Sequence, residues 1–589
     1  MAQGVDGASI RPGLYNRWQN PASLRAGTSR HLEIWIIANL PRRGHLPKLA
    51  FPQLPARRQS STRIPEESAS TRRIRLSGSH SILLLLALTV GSFARIWEFG
   101  RLPPSLNPDE ASTGVEARNL YDYGHDRNGI GYPVKFISWG SGQDVLYTYL
   151  LIPLVATAGL SPIAVRLPML VLGLLSMPLT YLAVRSIFNA QVGLMAAFML
   201  AISPWHILLS RWALDSNLFP VVFLAGFTCL LLTARNGWWF AVANVLLALC
   251  LYSYGTAYLV VPIFWVFAVL RVARSRLVAT RMLAVGVGTF VVLSAPIGLL
   301  LLVNLLRLPS VALGPITVPR FPVPVRWETT TVAGASDIPG ALAQNIGTGT
   351  RLLMFESDTI LYNVVEPFGY FYRFGLVLAL MGVTMIVMHE KSELRASTQL
   401  LFAWLGTALM VPLFQEVNIN RLNIIFLPML IVGAYALDWV QSRHAVAGPT
   451  VVAVLLAMFA AFTVKYHGHD YRVQVDFKFQ NGILPALRFA KGHTNGAICV
   501  TDKTNMPYIY ALFAEPISPS AFLASVDYVD ESAPLRHVAS FGRYSFGARN
   551  CPQGNSPVYV LTAYETPPRL GNRYSYEFFN DFVVYYPRP

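Results

Sequence analysis

Between residues 81 and 464 nearly uncharged apolar runs follow one another at short intervals, and this succession limits what the chain can fold into more than any other feature. The runs lie roughly at 81–99, 167–186, 192–209, 219–234, 238–254, 258–273, 282–305, 374–389, 398–414, 422–440 and 449–464. Inside hydrocarbon a backbone must satisfy its own hydrogen bonds, so apolar runs of this length fold as helices that cross a bilayer. They predict a polytopic α-helical membrane protein with about eleven transmembrane helices. Composition agrees: 53% of the 589 residues are hydrophobic and 13% charged, with a mean hydropathy of +0.43, too apolar for a soluble chain of this length. No small-residue cleavage site follows the first run, which therefore reads as a retained helix and not as a signal peptide.

Loop charge orients the helices. The first 80 residues hold 13 basic residues against four acidic ones, scattered among Pro, Ser and Gly, and they read as a disordered cytoplasmic arm. No nucleic-acid-binding module accompanies these charges, so they point to anionic membrane lipid and not to nucleic acid. The stretch DVLYTYLLIPLVATAG, residues 144–159, is ambiguous because it is short and carries Pro153. If it does not cross, the short loops on the arm's side contain Arg185, Arg235, Arg271, Arg274, Arg276, Arg281, Lys391, Arg395 and Arg443, while the opposite side has Arg211 and Arg421. That bias follows the positive-inside rule, and a crossing at 144–159 would invert it, so the stretch is expected to be interfacial or re-entrant.

Four stretches then share the outer side: the first outer loop, 100–166; 206–217; the large outer loop, 306–373; and 415–421. The transmembrane domain is expected over 81–465. Beyond it, residues 466–589 alternate strand-like runs (AICVT, PVYVLTAY, FVVYYP) with a helix-like one (PYIYALFA), which predicts a small extracytoplasmic α/β domain. Cys499 and Cys551 fall in this tail, where a disulfide and two buried thiols are both compatible with the sequence. The whole reads as a multi-pass protein of the plasma membrane, the inner membrane in a bacterium, with its amino terminus cytoplasmic.

Candidate chemistry gathers in the outer loops. LNPDEASTG places Asp109 and Glu110 just past a membrane exit, and the same loop continues through NLYDYGHDRNGIGYPVKFISWGSGQ to the interfacial segment. A solvated acidic pair is the plain reading, but a long aromatic and Gly-rich loop ending at the membrane surface makes a cavity between water and lipid. Such a cavity suits a substrate with a polar head and a greasy tail. Cations are offered by Lys135 in YPVKF, Arg211 in SPWHILLSRWALD and Arg421 in NINRLNIIFLP, with interface anchoring as the plain reading of each. His206, in SPWHI, reads as a packed interface histidine.

The ordered series ARIWEFGRLPPSLNPDEA, DRNGIGYPVKF, LPMLVLGLLSMPLTYLAVR, SPWHILLSRWALDSNLFP and INRLNIIFLP resembles glycosyltransferase family 39 and its relatives of the GT-C class, the protein O-mannosyltransferases and lipid A aminoarabinose transferases. The resemblance covers about residues 95–428 and leaves out the basic arm and the tail. It implies an inverting membrane glycosyltransferase that moves a sugar from a polyprenyl- or dolichyl-phosphate to a hydroxyl on a lipid, glycan or protein. It implies Asp109 as the base with Glu110 completing the acidic pair, and Arg421 near the donor phosphate; Lys135, Arg211 and Asp215 match less closely. Such a transfer needs few groups. A phosphate leaves readily once cations meet its charge, and one carboxylate takes the proton of the attacking hydroxyl, whereas glycoside hydrolysis generally needs a second carboxyl as acid. Metal dependence varies among such enzymes. No His/Cys cluster of ligand spacing stands in the sequence, which leaves a divalent cation open.

A transporter or flippase of lipid-linked sugars is the main reading from another class, since a helical bundle with polar outer loops serves either. It should put ionisable residues near the midplane beside broken helices in repeated halves, and the sequence shows neither a clear repeat nor mid-span acids.

Overall fold

In a computed structural model, which describes residues 78–322, 331–358, 360, 363–390, 394–444, 446–547, 550–552, 556–568 and 570–588, each of the eleven apolar runs is helical over most of its length. The basic arm expected over residues 1–80 lies outside the described residues up to position 77. Among the described residues eight helices are long and apolar enough to cross a membrane: Gly78–Ile96, Pro162–Ile187, Asp215–Leu232, Ala257–Ser275, Thr280–Leu305, Ala396–Phe414, Ile419–Arg443 and Ala447–Tyr466. The other three runs form the shorter helices Ala190–Ile202, Trp238–Cys250 and Gly375–His389. The stretch expected at the interface is the helix Leu146–Ala158, whose 13 residues rise only about 20 Å and fall short of a hydrocarbon core.

The run 192–209 breaks because Pro204 supplies no N–H: the helix stops at Ile202, Ser203 turns extended, and a second short helix, Pro204–Leu209, starts on the Ser203 cap. Close packing uses small residues. A side chain at Gly382 would put a Cβ 1.9 Å from the Val432 carbonyl oxygen, so glycine lets the Gly375–His389 helix lie directly against Phe426–Arg443. Conversely, Gly78–Ile96, Thr280–Leu305 and Ala447–Tyr466 bury few of their residues and turn Leu85, Val292 and Val464 outward, as helices on the lipid-facing rim do.

The tail forms a seven-stranded sheet in the order Asp527–Tyr528, Val538–Phe541, Tyr544–Phe546, Ile498–Val500, Val558–Thr562, Phe582–Pro587 and Tyr574–Phe579. The central strand, Ile498–Val500, is parallel to both its neighbours and every other pairing is antiparallel. All three strand-like runs and the helix-like one fall on the elements expected of them. Cys499 and Cys551 are joined by a disulfide, with their Cα atoms 5.7 Å apart.

The tail seats on the first loop. Arg118 Nη2 donates to the Leu512 carbonyl at 2.7 Å, the Tyr510 hydroxyl to the Leu106 carbonyl at 3.1 Å, and the Arg536 N–H to the Trp139 carbonyl at 2.8 Å. The first loop and the tail are therefore on one side of the helices.

Candidate active site

The sequence NPDE starts a helix, and this fixes where its two acids point. Asn107 caps Pro108–Tyr123 by accepting the Glu110 N–H at 2.9 Å, and the Glu110 carboxylate accepts the Asn107 N–H at 3.1 Å. Glu110 is thereby turned into the protein. There it pairs with Arg166 at 2.7 and 2.8 Å, accepts the Ala213 N–H, and is fully buried with its partner. Asp109, one residue earlier, faces the opposite way and lines a cavity of about 320 Å³.

That cavity takes walls from all four outer stretches. Lys135, Trp139, Gln143 and Asp144 join Asp109 from the first loop, Asp215 and Ser216 come from the second stretch, Ile360 from the third, and Gln415, Asn418 and Arg421 from the fourth. The turn Tyr254–Gly255–Thr256 and Tyr258 close it. Four helices begin at or beside this wall, namely Pro108–Tyr123, Leu146–Ala158, Asp215–Leu232 and Ala257–Ser275, so the positive ends of their dipoles lie around the space, while several of their first N–H groups are already paired, that of Leu146 with the Tyr252 carbonyl. Such an array favours an anion, one of the protein's own or an incoming phosphate.

Of the residues singled out from sequence, the structure brings Asp109, Lys135, Asp215 and Arg421 together at this cavity and leaves Glu110 and Arg211 out of it. Arg211 is fully buried and donates to the carbonyls of Ala94, Arg95, Trp97 and Leu102 at 2.7–3.2 Å, capping the end of the first membrane helix. Lys135 reaches the cavity with its charge already met. Its Nζ donates to Asp144 at 2.5 Å and lies over the Tyr258 ring, and although burial acts to lower its pKa, Asp144 and Tyr258 together raise it. Arg421 is held through Nη1 by the Glu416 carbonyl and carboxylate at 3.0 and 2.7 Å, with its own N–H on the Asn418 cap.

His206 is buried between Arg95 and Ser176, 2.7 and 2.8 Å away, as a packed residue. Among the described residues no three His, Cys, Asp or Glu side chains converge as metal ligands. Sequence reasoning passed over Trp139, Asp144 and the Tyr254–Tyr258 turn. A signal for Asp144 was present, an acid at the entry of an apolar helix. For Trp139, whose Nε1–H donates to Asp109 Oδ1 at 3.1 Å, there was none, because the contact exists only once the loop is folded.

Residues 145–299 match the family model described as dolichyl-phosphate-mannose-protein mannosyltransferase. Over most of its length the chain is also similar to a solved structure, ArnT from Cupriavidus metallidurans bound to undecaprenyl phosphate. The identity is 13%, the TM-score 0.53, and the match covers 87% of this chain and 98% of that one. The chain has the GT-C fold of membrane glycosyltransferases. The GT-C chain is also similar to the archaeal oligosaccharyltransferase AglB from Archaeoglobus fulgidus, solved with an inhibitory peptide and a dolichol-phosphate, at 13% identity and a TM-score of 0.43, covering 74% of this chain and 63% of that one. It thus spans less than two thirds of that protein. No curated protein matches it by sequence. Within the GT-C chain the matched residues hold the Asp215 and Tyr254–Tyr258 walls of the cavity, while Asp109, Lys135 and Arg421 lie outside the match.

Proposed function

We propose that this chain is an inverting glycosyltransferase that moves a sugar from a polyprenyl-phosphate donor to a hydroxyl group of a lipid, glycan or protein, with Asp109 as base, on the outer face of the plasma membrane. The observation that carries the reading is the cavity itself, which gathers one aspartate held by an indole, one arginine and four helix N-termini from distant parts of a membrane-embedded chain.

The chemistry follows from that set. The acceptor oxygen attacks the anomeric carbon and forms the new C–O bond as its proton passes to the Asp109 carboxylate. The bond between the anomeric carbon and the phosphate oxygen breaks, and its electron pair leaves on the lipid phosphate. Arg421 meets the phosphate charge, helped by the helix N-termini, which need no reorganisation during the reaction. Lys135 is committed to Asp144, and we assign it to holding the wall. A cavity of about 320 Å³ has the size of a small-ligand cleft. Outer placement is supported by the basic bias of the opposite loops and by the Cys499–Cys551 disulfide, which persists in oxidising compartments.

The test uses the full-length protein in detergent with a radiolabelled polyprenyl-phosphate sugar and membrane extract. The expected result is label covalently joined to an acceptor. Label that crosses the bilayer of proteoliposomes while staying on its lipid would show a flippase instead.

A further inference from the structure

Trp139 is buried at the cavity wall, and its indole N–H donates to Asp109 at 3.1 Å. What fixes the indole is largely the tail. The Trp139 carbonyl accepts the Arg536 N–H at 2.8 Å, and Gly140 pairs with Leu535 in an antiparallel bridge. The Tyr508 ring meets the indole edge-on at 5.9 Å between centroids. On the loop side the Arg127 guanidinium carbon lies 4.7 Å from the indole centroid, itself held by Ser112, Ser138 and Glu116.

We infer that the C-terminal domain is a positioning element for sugar transfer, which sets Trp139 so that its indole N–H holds the Asp109 carboxylate in place. The inference rests on Asp109 acting as base. A carboxylate's terminal torsion is broad and soft, so a donor fixed by neighbouring structure selects which oxygen faces the acceptor. An indole has two torsions and a rigid ring, and here it is clamped by a backbone hydrogen bond, an edge contact and a cation over its face. The tail thereby contributes to catalysis without touching the substrate, through packing and one hydrogen bond. The same hydrogen bond favours the ionised carboxylate, the form that accepts a proton.

Three substitutions in the full-length protein test this. Trp139→Phe keeps a ring but removes the donor. It should lower kcat roughly ten- to a hundredfold, as expected for a slightly misplaced base. Donor affinity should be unchanged, and the acid limb of the kcat profile should move to higher pH. Trp139→His returns a ring N–H and should recover part of both effects. Tyr508→Ala, at a residue that does not line the cavity, should lower kcat in the same direction, while Tyr508→Phe should not; protease resistance of the tail serves as the folding control.

A normal kcat and an unmoved acid limb in Trp139→Phe would overturn the inference, as would a loss confined to KM, which would make Trp139 a wall of the substrate site and nothing more. Should Trp139→Phe fail to fold, a normal kcat in Tyr508→Ala overturns it. Full turnover in Asp109→Asn would overturn both the inference and the base assignment, whereas an inactive Asp109→Asn beside a normal Trp139→Phe overturns the inference alone.

Discussion

Asp109 and Glu110 are adjacent in the chain, yet helix geometry turns one into a cavity and the other into a buried pair with Arg166. Neutralising them should therefore fail in different ways. Asp109→Asn keeps size and shape, and is expected to fold, bind donor and lose roughly a hundredfold or more in turnover. Glu110→Gln leaves the Arg166 guanidinium buried without its charge partner, a change that costs about 3–5 kcal/mol, so the expected loss is of folded protein, read as a lower thermal midpoint in detergent. An unstable Asp109→Asn or a stable, inactive Glu110→Gln would reverse the assignment.

The two arginines divide in the same way. Arg211 has its donors committed to backbone carbonyls, whereas Arg421 lines the cavity beside Glu416. Removing a partner from a charge-assisted phosphate contact in a partly dry site costs roughly 2–5 kcal/mol. Arg421→Ala should accordingly weaken donor binding or slow transfer strongly, and Arg421→Lys should restore only part, since an ammonium lacks the planar fork. Titration of labelled donor against both variants checks this. Full activity in both would return Arg421 to the role of an interface anchor.

At the scale of elements, what the sequence could carry depends on whether the cause is local. Apolar runs of sufficient length become helices wherever they sit, so all eleven were readable. A signal for the part of Glu110 was local too, because N-x-x-E ahead of a helix is a capping box, but the two adjacent acids were read as one pair. Trp139 had no local signal: its role depends on a tail that arrives almost four hundred residues later to fix its ring.

The loop behind Trp139 carries a further local cost. Burial pushes the Glu116 carboxyl up to about 7, with Arg127 opposing and Asp126 adding to the rise, and burial likewise pushes Asp126 up to about 6. Both acids hold protons in the folded protein that the unfolded chain would release at lower pH. Their contribution to stability is thus fully present below about pH 4 and is lost as pH rises through 6 and 7. Thermal midpoints should fall across that window, and Glu116→Gln, which no longer titrates, should flatten the fall. An identical slope in the variant would show that other groups set it.

For the molecule as a whole, function requires the cavity, the first loop and the tail to face the same compartment. Contact between tail and loop makes them one side, but which side is a matter of loop charge and of the disulfide. The exposed positions Tyr121, on the first-loop helix, and Ser532, in the tail, report on that face, while Asn236 and Arg276 lie in short loops at the other end of the bundle. Single cysteines at these four positions can be labelled in intact cells with a membrane-impermeant maleimide. The native Cys229 and Cys250 are half-buried and buried, and Cys499 and Cys551 are bridged, so background labelling should be low. Tyr121→Cys and Ser532→Cys are expected to react from outside, and Asn236→Cys and Arg276→Cys only after permeabilisation. Labelling of Asn236→Cys and Arg276→Cys alone in intact cells would place the cavity on the cytoplasmic face, where the donor would have to be taken from the inner leaflet. Labelling of only one of Tyr121→Cys and Ser532→Cys would break the seat of the tail on the loop, and with it the proposed hold of Trp139 on Asp109.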